Sequence, residues 1–68
     1  MTKYIIKQTG QYVENSETVY TYTVYKGILG GLIWVTVFHR VNKYPEFAIN
    51  DCENFIHSQH GHIVHLSK

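Results

Sequence analysis

Three observations predict a small α+β domain, an antiparallel β-sheet of about four strands with one helix packed across one face. The run Thr18 to Tyr25, TVYTYTVY, is almost wholly β-branched or aromatic, a composition that suits a pleated strand and disfavours a helix. The stretch Gly27 to Val41 holds an apolar core from Ile28 to Phe38 and opens on Gly27, Gly30 and Gly31. It reads as a central strand entered through a tight or bulged hairpin loop. Farther on, Cys52, Phe55, Ile56 and Gln59 recur at i, i+3, i+4 and i+7, the spacing of one narrow apolar helix face.

In chain order, Lys3 to Val13 is strand-like, anchored by Tyr4, Ile6, Tyr12 and Val13, with Gly10 marking a bulge or a break. Glu14 to Glu17 is a polar turn. In Thr18–Tyr25 alternation puts Tyr20, Tyr22 and Val24 on one face and Val19, Thr21, Thr23 and Tyr25 on the other. In Leu32–Val41 it separates an aliphatic row, Ile33, Val35, Val37 and Val41, from Leu32, Trp34, Thr36, Phe38 and Arg40. Phe47–Ile49 is either a short strand or a first helical turn. Asn50 to Glu53 has partial capping-box spacing, while a helix starting at Pro45 would add Ala48 and Ile49 to the same apolar face. Gly61 is placed as its C-cap, and His62 to Leu66 forms a last strand. The order is β-β-β-α-β in a single domain, residues 1–68. The aliphatic row suits the face under the helix, which leaves Trp34 and Phe38 on the other with nothing to cover them.

A chain of 68 residues is near the size at which one core only just stabilises a fold. Cys52 is the only cysteine, so no internal disulfide can form, and metal, oligomerisation or unaided packing must serve. A lone cysteine, with no long apolar segment behind Met1, points to the cytoplasm. The apolar core is also well short of the ~20 residues that span a bilayer, so no membrane role is expected. Formal net charge is +1 and the basic residues are dispersed, unlike the basic stripe of a dedicated nucleic-acid binder.

Chemistry-bearing residues are few. His57, His60, His62 and His65 lie close together and could ligate zinc or nickel, but His62 and His65 would point to opposite faces of a regular strand. Cys52 falls on the apolar helix face, where a thiol behaves as a small hydrophobe. Asp51 and Glu53 fit a helix N-terminus, and Glu14 and Glu17 a turn. The glycines lack the lysine and the helix that follow in a phosphate loop. No cofactor is expected, and the chain reads as non-enzymatic. Three strands followed by a helix resemble, in layout, the DNA-binding domains of phage-type integrases, which implies Lys26, His39, Arg40 and Lys43 as nucleic-acid contacts. Aromatics on an open sheet would also suit single-stranded bases.

Trp34, Phe38, Arg40, Tyr22 and Tyr25 would instead form an aromatic patch of the composition enriched at binding hot spots, for a host protein or for a second copy in a homodimer. Small size, near-neutral charge and residue usage suggestive of AT-rich coding resemble the general type of small phage-encoded inhibitors, anti-CRISPR and other anti-defence proteins among them. That likeness implies a protein that blocks a host target sterically.

Overall fold

The computed structural model describes residues 2–67, which form four strands and one helix: β1 (Lys3–Glu14), β2 (Glu17–Ile28), β3 (Ile33–Asn42), α1 (Pro45–Ser58) and β4 (His62–Ser67). The small α+β architecture is the expected one. β1 and β2 join through Asn15 and Ser16, both at positive φ, the geometry of a two-residue turn whose twist matches the flanking strands. Leu29–Gly31, all at positive φ, make the tight loop between β2 and β3, where the Leu32 amide donates to the Leu29 carbonyl at 3.4 Å.

The sheet runs β3-β2-β1-β4. β1 pairs antiparallel to β2 and β2 to β3, but β4 pairs parallel to β1, so the sheet is mixed rather than wholly antiparallel. The reason is mechanical. α1 carries the chain back along the sheet, so β4 must run in the direction of β3, and a helical crossover is what a parallel strand requires. β3, expected at the centre, is an edge; β1 and β2 hold the middle.

α1 begins at Pro45 in the N1 position, where the missing N–H costs nothing and the fixed φ favours helix. The Tyr44 amide donates to Asn42 Oδ1 at 2.9 Å, turning the chain into the helix. Asn50 and Asp51 are therefore interior residues and no capping box forms. At the other end His60, not Gly61, takes the left-handed conformation, with φ 56°. The amides of His60 and Gly61 donate to the carbonyls of His57 and Ile56, the paired bonds of a Schellman ending. Gly61 is needed for another reason: a Cβ there would clash with the edge of the Tyr4 ring.

The core lies between the helix and one sheet face. Tyr4, Ile6, Tyr22 and Val24 from the sheet meet Ala48, Ile49, Cys52 and Ile56 from α1, with Tyr20, Phe38, Phe55 and Ile63 around the rim. Phe38 stacks on Phe55, ring centroids 4.4 Å apart. This contradicts the expected division of β3. Val24 pairs with Phe38 but Tyr25 with Thr36, so Val37 is an extra residue and alternation reverses across it. Phe38 and Arg40 face the helix together with Ile33 and Val35, while Trp34 and Thr36 share the open face with His39 and Val41.

Candidate interaction face

The face opposite α1 is built from alternate residues of all four strands. Register places His62 beside Lys3, His65 beside Ile5, Ile5 beside Tyr25 and Tyr25 beside Thr36. Lys7, Thr23 and His39 form the next row. Trp34 stands opposite Gly27, and its indole lies against that glycine: a Cβ at Gly27 would sit 3.0 Å from the ring. One side of the indole is thereby seated on backbone while the residue stays half-exposed. Tyr25 is half-buried on the same face, and His39 and Val41 are exposed.

A ladder of hydroxyls ties the middle of this face together. Thr9 Oγ1, on the residue that bulges from β1, lies 3.0 Å from Thr23 Oγ1 and 3.3 Å from Thr21 Oγ1. Thr23 Oγ1 in turn lies 3.2 Å from His39 Nδ1. Cross-strand polar pairs of this kind hold a sheet face in register. Lys3, Lys7, His39, His62 and His65 share the face, and its carboxylates, Glu14 and Glu17, lie at the far hairpin end. Glu46, Asp51 and Glu53 belong to α1 on the other side.

Of the five residues expected to form a partner patch, Trp34 and Tyr25 are on this face and three are not. Tyr22 is buried under the helix; its hydroxyl donates to Gln8 Oε1 at 3.4 Å, and burial, then the neighbouring Tyr20, raise its pKa. Phe38 is under the helix as well. Arg40 lies over the Phe38 ring at 4.4 Å and against Asp51 at 3.6 Å. The cause in each case is the Val37 bulge or the side on which the helix packs.

The nucleic-acid set is divided in the same way. Lys26 and Arg40 face the helix side, His39 the open side, and Lys43 pairs with Glu17 at 3.3 Å. The histidines do not converge either. A bulge at Val64 turns His62 and His65 onto one face, contrary to expectation, yet among the described residues no group of three or more potential ligands could hold a metal ion. Cys52 is fully buried; burial and then the Asp51 carboxylate push its thiol up to about 11, against a smaller opposite pull from Arg40. It is the reverse of an activated nucleophile.

Lys3, Lys7 and the threonine ladder were missed by sequence reasoning. Period-2 alternation through Lys3, Ile5 and Lys7 is plain in the sequence, but its register against His62 and His65 depends on a parallel pairing that no local signal announces. Comparison with protein families, with curated proteins and with solved structures finds no match for this chain.

Proposed function

We propose that this chain is a non-enzymatic protein-interaction module of the phage or mobile-element inhibitor type, working in a host cytoplasm by covering a site on a larger protein. One observation carries the reading: α1 covers a single sheet face, and the other presents Trp34 and Tyr25 together with Lys3 and Lys7 on a four-stranded sheet. Trp and Tyr are enriched at interface hot spots, and the lysines beside them direct the choice of partner toward an acidic surface. Pulldown from host lysate with the purified protein should recover one dominant species. Trp34→Ala or Tyr25→Ala should weaken recovery at least tenfold while circular dichroism stays unchanged. Recovery untouched by both changes would remove the open face from the reading.

A second reading has one observation in its favour, the interleaving of Lys3 and Lys7 with Trp34 and Tyr25 on an open sheet, which also suits single-stranded nucleic acid. Its mark would be affinity for an oligonucleotide that falls steeply with salt; absence of any shift at low salt removes it.

A further inference from the structure

We propose that two copies of this chain associate through β3, edge to edge and antiparallel, into one continuous eight-stranded sheet with both helices on the same side. β3 is the long edge of the sheet, running Ile33–Asn42 with no strand on its outer side among the described residues. Its outward N–H and C=O groups need an extended strand as partner, the chemistry by which sheet edges self-pair. Natural edges are blunted by charged side chains, Pro or a twisting bulge; β3 has no Lys, Glu or Pro, its one full charge, Arg40, lies 3.6 Å from Asp51, and its one bulge, at Val37, sits where the strand would meet its own copy.

Apolar surface left bare on one copy is complementary to that left bare on another. Leu32 is 84% exposed, and Ile33 and Val35 stand out beside it at the start of β3. At its other end Tyr44 and Phe47 pack edge to face, centroids 5.3 Å apart, with Phe47 56% exposed. Antiparallel pairing of β3 with itself sets the first cluster of each copy against the second cluster of the other, twice over.

The Val37 bulge selects the register. Full overlap of the ten-residue strand places Ile33 opposite Asn42, Trp34 opposite Val41, Val35 opposite Arg40 and Thr36 opposite His39. In a regular strand each of these pairs would join opposite faces. Because alternation reverses at Val37, Ile33, Val35, Arg40 and Asn42 all share the helix side, and Trp34, Thr36, His39 and Val41 the open side. The longest register is thus also in phase. An edge ~34 Å long, on a molecule 15 Å thick in its thinnest dimension, gives a contact on the order of 500 Å² per partner. The total of about 1,000 Å² stands at the lower threshold for a biological interface, the size of a weak, reversible pair, and the ladder would supply about eight main-chain hydrogen bonds, within the usual range.

Sedimentation equilibrium of the full chain should give twice the monomer mass, and the double variant Val35→Lys with Phe47→Lys, both exposed positions, should give the monomer with an unchanged far-ultraviolet spectrum. Register is tested separately by cross-linking. Thr36→Cys and His39→Cys proteins mixed under mild oxidant should form a mixed disulfide, since directly opposed residues fall within bridging distance, while either alone should form little. Buried Cys52 takes no part. A monomer at millimolar concentration, or a dimer indifferent to the lysine pair, overturns the proposal; a dimer without the mixed disulfide overturns its register. Lysate pulldown is a separate readout, so failure to find a host partner leaves the self-pairing result intact.

Discussion

Cys52 shows how one buried residue links packing to solution behaviour. Its thiol is fully buried among Ile49, Ile56 and Tyr22 in the core cluster, and its pKa is pushed up to about 11. The folded pKa lies above the unfolded value, so the unfolded state loses its proton first as pH rises. The contribution of Cys52 is therefore constant below its ordinary value of 9.0 and is lost from there to about 11, by at most ~1.4 kcal/mol per pH unit. Urea unfolding at several pH values should show that alkaline slope, and Cys52→Ala should flatten it while lowering stability at neutral pH through the cavity it leaves. A slope unchanged by the substitution would assign alkaline sensitivity to other groups, buried Tyr22 first. A disulfide-exchange reagent should also label Cys52 only as fast as the protein opens. The buried, inert thiol was legible in the sequence, because its position on the i, i+3, i+4 face follows from local periodicity alone.

At the scale of elements, β3 shows where that kind of reading ends. Its strand character follows from composition, but the assignment of its faces assumed unbroken alternation. One extra residue at Val37 brings Phe38 and Arg40 onto the helix side beside Ile33 and Val35 and moves Val41 to the open one, and no residue type in VTVF announces it. Gly10 did suggest the bulge in β1, which falls on the adjacent Thr9. The pairing of Trp34 with Gly27 was equally hidden, since it depends on cross-strand register, yet it explains the glycine better than the turn does. A side chain at Gly27 would meet the indole at 3.0 Å. Gly27→Val should lift the ring toward solvent, with the stability cost held to about 1 kcal/mol because strand propensity offsets part of the overpacking. Trp34 is the sole tryptophan, so its emission reports this directly: a red shift and faster acrylamide quenching are expected. An unmoved spectrum would mean the glycine is not the seat of the ring.

The whole molecule is elongated, 42 × 21 × 15 Å, whereas α1 with its 14 residues is only ~21 Å long. The helix can therefore cover about half the length of the sheet. What it covers is the band where Tyr4, Ile6, Tyr22 and Val24 are buried. The β1–β2 hairpin beyond it, from Gln11 to Thr18, is exposed on every residue. A two-stranded ribbon without a packed face is marginal in water, so stability should be graded along the long axis rather than uniform. Native-state amide exchange should find Ile6 and Val24 opening only with global unfolding, and Val13 and Thr18 exchanging orders of magnitude faster through local fraying. Equal protection along the full length of β1 would show that something covers the distal hairpin in solution. β3 offers a second contrast. If its edge is sealed by another copy, the amides that point outward from Ile33–Asn42 should gain protection as protein concentration rises, while the distal hairpin does not change. Exchange measured at two concentrations therefore separates a sheet that ends at β3 from one that continues across it.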